Sequence, residues 1–168
     1  MIMDEREKQI LQTVGEFTKR LPKFSDGRVD YSDSDTAPTV TAFIKYRDDI
    51  LLLKRSDAVR TYKGRWCTVA GYLDEMKPIR KKVLEEVHEE LGIDETNVLS
   101  IRMGKPYEFK DSEVDMTWLV HPALVELKNR PDIKLDWEHT DYKWVRPEEL
   151  KNFDTVPKLD KSWENVFM

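Results

Sequence analysis

The chain has 168 residues, 39% of them hydrophobic, with five Trp, six Tyr and six Phe and a formal net charge of −5. That bulk suffices for one buried core, and the negative balance argues against a long nucleic acid partner, which needs a basic face, while leaving room for a small anionic substrate. The single cysteine, Cys67, excludes an intrachain disulfide, and with no signal-like or membrane-length apolar run the expectation is a cytoplasmic protein without a membrane partner.

Residues 3 to 21 place Ile10, Val14, Phe17 and Leu21 on one stripe of a predicted helix, with Asp4, Glu5 and Glu7 at its electropositive start and Pro22 at its end. The acidic, turn-rich run that follows reads as a connector or irregular surface segment. The chain is therefore expected to divide into an N-terminal helix and connector, 1–37, and a body, 38–168. Either the body or a second copy must cover the helical stripe, which makes a homodimer an expectation.

From Thr39 the texture changes. TVTAFIKY reads as a strand, Asp48-Asp49 as a tight turn and ILLLKR as the return strand. Ser56 to Gly64 forms a loop, Arg65 to Ala70 a short strand, and a helix is predicted from about Pro78 to Leu91, closed by Gly92. Val98 to Phe109 and Met116 to Leu127 read as two long strands, Tyr142 to Val145 as another, Pro147 opens a short helix, and Leu159 to Phe167 is a terminal helix. Strands, one long helix, more strands and a last helix make an α+β chain, an α/β/α sandwich with a mixed β-sheet between helices.

Along the central helix Ile79, Val83, Leu84, Val87 and Leu91 share one apolar stripe, and Glu86, Glu89 and Glu90 follow its border. Carboxylates at such spacing repel, each neighbour costing roughly 0.2–0.5 kcal/mol even when exposed. A cation reverses that sign. Hard oxygen ligands favour Mg²⁺ or Mn²⁺, with water and substrate phosphate filling the remaining positions. The alternative is a solvated acidic face balanced by Arg80, Lys81 and Lys82.

The stretch from Gly71 to Ile93 resembles the box of the Nudix hydrolase family: Gly, five residues, Glu, seven residues, then Arg-Glu-apolar-X-Glu-Glu-X-Gly-apolar. Gly71, Glu86, Val87, Glu89, Glu90, Gly92 and Ile93 fall in register, while Lys77 stands at the first Glu and Glu85 at the Arg. In the family those two positions form an ion pair that pins loop to helix, so Lys77 and Glu85 are expected to form the same bridge with exchanged signs. The alternative pairs Glu85 with Lys81. The resemblance runs from Pro38 to Val166, with softer echoes at Trp66 and at EHTDYKWVRPEEL, which adds Glu138 to the candidate ligands. It implies a Nudix-like sandwich that hydrolyses a small phosphorylated substrate, a nucleoside diphosphate linked to another group, into two phosphorylated products. Glu86, Glu89 and Glu90 are then catalytic and, with Glu138, hold Mg²⁺ or Mn²⁺; the general base stays open.

Substrate phosphates need countercharge, and Lys54, Arg55, Arg60, Lys63 and Arg65 face one acid, Asp57. Arg55, Arg60 and Arg65 are the phosphate candidates because a guanidinium fork matches two oxygens, against the alternative of a solvated loop. Tyr62, Trp118 and Trp144 are candidates for stacking on a base, against core roles. His88 is expected to be exposed, His121 packed and His139 in a loop facing the site; with no Cys nearby and no His-X-X-His spacing, zinc is not expected. Two other functions stay open. One is a Nudix-folded nucleotide-binding or regulatory module without turnover, suggested by Lys77 and Glu85 but opposed by the intact acid trio. The other is an isoprenoid diphosphate isomerase, opposed because Cys67 has no obvious partner.

Overall fold

A computed structural model gives the fold over residues 3–167; Met1, Ile2 and Met168, at the outer ends of the two expected segments, lie outside the described residues. Helix α1 (Glu5–Arg20) begins where Asp4 and Glu7 each accept a hydrogen bond from the other's backbone N–H, a capping box. It stops at Leu21, extended as the residue before proline must be. Ile10 and Val14 enter the main core beside Val83 and Val87, and Phe17 packs with Val29 and Tyr31. The stripe is covered inside the chain, so it no longer argues for a second copy.

Residues 22–35, expected at the surface, are partly built into the body. Val29 donates its N–H to the Asp74 carbonyl at 2.8 Å, and the Tyr31 hydroxyl donates to the Leu73 carbonyl at 2.7 Å. Both side chains are buried.

The sheet is built on two long strands, β1 (Thr36–Tyr46) and β7 (Met116–Leu127), paired parallel from Thr36↔Thr117 to Lys45↔Glu126. β1 turns through Arg47 and Asp48, one residue earlier than expected, into β2 (Asp49–Arg55). The strand expected at Arg65 to Ala70 is two short pieces, β3 (Trp66–Cys67) and β4 (Val69–Tyr72), parted at Thr68, whose hydroxyl donates to the Ala42 carbonyl. Helix α2 (Ile79–Leu91) follows, closed by Gly92 in the left-handed region at φ 70. Alternation on β1 and β2 sorts the two faces. Val40, Ala42, Ile44, Leu51 and Leu53 pack under α2 and α1, whereas Phe43, Ile50 and Leu52 pack on the opposite side with Leu159 and Val166. An ILLL run buried on both faces is what a central strand between two helical layers requires.

The expected long strand from Val98 to Phe109 is broken into β5 (Val98–Met103) and β6 (Tyr107–Asp111), both antiparallel to β7. The reason lies opposite. The Pro122 carbonyl accepts from the Gly104 N–H, so the N–H that Pro122 lacks would have faced this same edge. Gly104 is required there, since a Cβ would lie 2.5 Å from the Asn165 carbonyl oxygen. β8 (His139–Val145) starts earlier than expected and pairs with β2, setting His139 opposite Arg55 beyond a register shift at Lys54/Arg55. A 3₁₀ helix (Pro147–Asn152) and α3 (Leu159–Asn165) complete the second helical layer. Among the described residues no helix is long and apolar enough to cross a membrane.

Candidate active site

Val83, Val87 and Leu91 are buried against the sheet and fix the rotation of α2. That rotation sets Glu86 and Glu90, one turn apart, at the border of the core, with Glu86 half-buried, Glu90 fully buried and Glu89 exposed. Glu86 lies over the end of β4 because Gly71 has no side chain; a Cβ there would sit 2.9 Å from Cδ and Oε1 of Glu86. Glu138, half-buried ahead of β8, completes the acidic group.

Glu90 is 2% exposed, and its Oε2 has no hydrogen-bond partner among the described residues. Burial first, then Glu86, Glu138 and Asp136, push its carboxyl well above the usual range. Burial and the charges of Asp136 and Glu86 likewise push Glu138 up to about 7, against the opposing pull of Arg55. His139 is buried between the acids, with Nε2 3.7 Å from Glu90 Oε1 and Nδ1 3.2 Å from Asp136 Oδ1, and burial lowers its pKa. Such a group of carboxylates with one orphaned oxygen fits a divalent cation: Glu86, Glu90 and Glu138 supply hard oxygens, and a positive charge satisfies what no neighbouring donor does.

Cations of the protein's own brace the rim. Lys77 Nζ lies 2.8 Å from Glu85 Oε2 and 3.3 Å from Glu75 Oε2, so the two departures from the box pattern do meet. Lys82, nearly buried, reaches Glu86 at 2.9 Å and Asp74 at 3.4 Å. Burial alone would lower the Lys82 pKa, but these two acids outweigh it and raise it.

The NUDIX domain profile matches residues 35–165. The chain belongs to the Nudix family. This Nudix hydrolase is 32% identical over 114 residues to the nucleoside triphosphatase NudI of Salmonella schwarzengrund (strain CVM19633), covering 62% of this chain and 77% of that one. Solved structures share its fold. The MutT protein of Methanosarcina mazei Go1 superposes at TM-score 0.64 with 24% identity, covering 79% of this chain and 93% of that chain. The MutT Nudix hydrolase of Burkholderia pseudomallei gives 0.65 and 21%, covering 78% and 98%.

Beside the Nudix acids opens a cavity of about 760 Å³ that includes Glu138, Gly71, Arg55 and Arg60 in its lining. Arg55 is oriented by bonds from Nε to the Thr61 carbonyl at 2.9 Å and from Nη2 to the Thr61 hydroxyl at 3.3 Å. Arg65 is not brought to this cavity: it pairs with Glu113 at 3.0 Å and its guanidinium lies over the Tyr62 ring. Tyr62 and Trp118 do line it, joined by a hydrogen bond from the indole N–H to the hydroxyl, whereas Trp144 sits under Arg130. Tyr31 and Tyr72, stacked at 5.5 Å, continue the aromatic wall towards Trp118.

His88 is exposed and His121 is packed, its Nδ1 3.0 Å from the Thr39 carbonyl. The placing of Cys67 corrects the sequence reading, because its Sγ is 3.7 Å from His139 Nε2. That neighbour does not revive an isomerase, since burial pushes the thiol up to about 12 and leaves it far from a thiolate. Asp136, Tyr31 and Tyr72 were missed, and Lys82, expected only as countercharge on a solvated face, is buried against Glu86. Lys82 is one turn before Glu86 and Tyr72 directly follows Gly71 of the box, both usable signals; Asp136 and Tyr31 reach the site through strand pairing and loop packing.

Proposed function

We propose that this Nudix hydrolase cleaves the phosphoanhydride of a nucleotide, with Mg²⁺ or Mn²⁺ held by Glu86, Glu89, Glu90 and Glu138. The observation that carries this reading is the buried, unpartnered oxygen of Glu90, set among further acids at the edge of a cavity lined by arginines and aromatic rings. A divalent cation, when bound, offsets phosphate charge and acidifies water so that it attacks near neutral pH. Glu86 and Glu90 hold it from the helix and Glu138 from the facing loop, while the charge of exposed Glu89 is felt at Glu138 and belongs to the same group. Arg55 and Arg60 take phosphate oxygens, and the wall of Tyr31, Tyr72 and Trp118 receives the base. Water adds to one phosphorus, the bridging P–O bond breaks, the leaving phosphate departs with its electron pair and a proton is released.

The relatives named nucleoside triphosphatase put nucleoside triphosphates first among the substrates to try, followed by dinucleoside polyphosphates, nucleotide sugars, ADP-ribose and NADH. Free Cys67 suits work in the reducing cytoplasm. The test is phosphorus NMR of products from this panel with Mg²⁺, with Mn²⁺ and with excess chelator. Metal-dependent release of two phosphorylated products is expected. Full turnover in chelator overturns the reading, and tight binding of a nucleotide without turnover of any substrate favours a binding module instead.

A further inference from the structure

We propose that His139 is itself a metal ligand, forming with Glu90 and Glu138 a mixed nitrogen and oxygen site that takes Mn²⁺ or Co²⁺ in preference to Mg²⁺. The hydrolase reading supplies the job of the ion, whereas its place here rests on three side chains. One ligand atom from each of Glu90, Glu138 and His139 lies within 4.8 Å of the other two. An ion about 2.1 Å from each ligand separates them by up to about 4.2 Å, so only a small closing movement is needed.

The imidazole is oriented for that task. Asp136 Oδ1 stands 3.2 Å from Nδ1, and a carboxylate can only accept, so the ring proton sits on Nδ1 and the lone pair on Nε2. The same Asp136 oxygen accepts from the Glu138 backbone N–H at 3.1 Å, so one side chain sets both loop ligands. Nε2 then faces Glu90 Oε1 at 3.7 Å, too far for a direct hydrogen bond, with both side chains almost wholly buried. Among the described residues Glu90 Oε2 has no hydrogen-bond partner. The Cys67 thiol, also 3.7 Å from Nε2, is a weak donor and does nothing for the carboxylate. A cation satisfies both acceptors at once, and a carboxylate behind a ligating histidine is the usual support for such a bond. Imidazole in the set disfavours Mg²⁺, which asks for a near-ideal octahedron of oxygens, relative to the transition metals.

The rival is that His139 merely buttresses Glu90 through a shared proton. Pulsed electron paramagnetic resonance on the Mn²⁺-loaded protein separates the two, because only a ligating imidazole gives a ¹⁴N coupling to the ion. Titration calorimetry of the metal-free chain with Mn²⁺ and Mg²⁺ is the second readout. The expected results are a ¹⁴N coupling, tighter binding of Mn²⁺ than of Mg²⁺, and a loss of about tenfold or more in Mn²⁺ affinity in Asp136→Asn. In His139→Asn the coupling vanishes; should that variant not fold, the wild-type spectrum decides alone. Bound Mn²⁺ without ¹⁴N coupling overturns the proposal. Metal-dependent turnover without the coupling sinks this inference and leaves the hydrolase standing. Coupling in a chain that cleaves no phosphoanhydride does the reverse.

Discussion

Two glutamates in this protein are buried to nearly the same degree, Glu7 at 4% exposed and Glu90 at 2%, and their surroundings are opposite. Glu7 receives Arg80 Nε on one oxygen and the Asp4 backbone N–H on the other, and Arg80 also donates to the Ile101 carbonyl at 2.6 Å. One ion pair thus ties α1, α2 and β5 together. Glu90 has an oxygen without a donor among the described residues, and Glu86, Glu138 and Nε2 of His139 for company. Removing a charged carboxylate from water costs several kcal/mol, and a fold offsets that cost where the group serves the fold. At Glu90 no described donor offsets it, the contrast expected between the proposed ligand site and a structural ion pair.

The strongest way to break this contrast is Glu90→Gln. It should lower kcat by two or more orders of magnitude, about 2.7 kcal/mol or more, while the melting temperature of the metal-free protein holds or rises. The pH dependence follows from sign. A carboxyl whose pKa is raised by folding binds its proton more tightly in the folded state, so folding is favoured below that raised pKa and stability falls as pH climbs through it. Burial raises Glu90 and carries Glu138 to about 7. Melting of chelated wild type should therefore decline from about pH 5 to pH 8, Glu90→Gln should decline less, and saturating metal should close the gap. If Glu90→Gln unfolds at every pH, Glu90 is a structural residue of the Glu7 kind.

Arg80→Ala is the mirror experiment. It leaves Glu7 buried without its cation and should remove about 2–4 kcal/mol of stability, below the top of the range for buried pairs because Arg80 is one third exposed. Thermal melting should fall by several degrees while kcat changes little. A loss of activity without loss of stability would mean that α1 acts on the site directly.

The sequence made the box legible because its spacing is local: apolar residues three and four apart fix one face of α2, and Gly71, Glu86 and Glu90 follow from that face. The β1–β2 hairpin was legible too, from TVTAFIKY and ILLLKR, but the parallel pairing of β1 with β7 was not. The β5/β6 break was legible in principle, since Pro122 within a strand announces a missing N–H on one edge, but its effect on Gly104 requires knowing which edge. His139 was legible only as part of a loop facing the site, and Asp136 was not legible at all. They reach Glu90 through the pairing of β8 with β2 and its shift at Lys54/Arg55, a non-local register that composition does not set. Tyr31 likewise becomes part of the cavity only by donating to Leu73 across the chain.

Gly71→Ala sharpens the functional side at lower cost. The added Cβ meets the flexible end of Glu86 at 2.9 Å rather than backbone, so the carboxylate yields and the fold does not. About a tenfold loss in kcat/KM, 1.4 kcal/mol, is expected with little change in melting. A large melting loss with unchanged kinetics would show that Gly71 serves strand packing instead.

The smallest effect belongs to Lys77 and Glu85, a pair that resembles Glu7 and Arg80 in logic but lies nearer to water. Its side chains are 18% and 36% exposed, so a coupling energy of about 0.5–1 kcal/mol is the expected scale. Lys77→Glu places a carboxylate beside Glu75 and Glu85, and Glu85→Arg places a guanidinium beside Lys77; each should lower melting temperature. The double variant restores a pair of opposite charges in reversed order, yet recovery should be incomplete, because Glu75 now sits 3.3 Å from where Lys77 Nζ stood and repels the new acid. Adding Glu75→Gln should recover the remainder. Strict additivity in the cycle would mean that Lys77 works only through Glu75, and that Glu85 stands at the arginine position of the box without a bridge to hold.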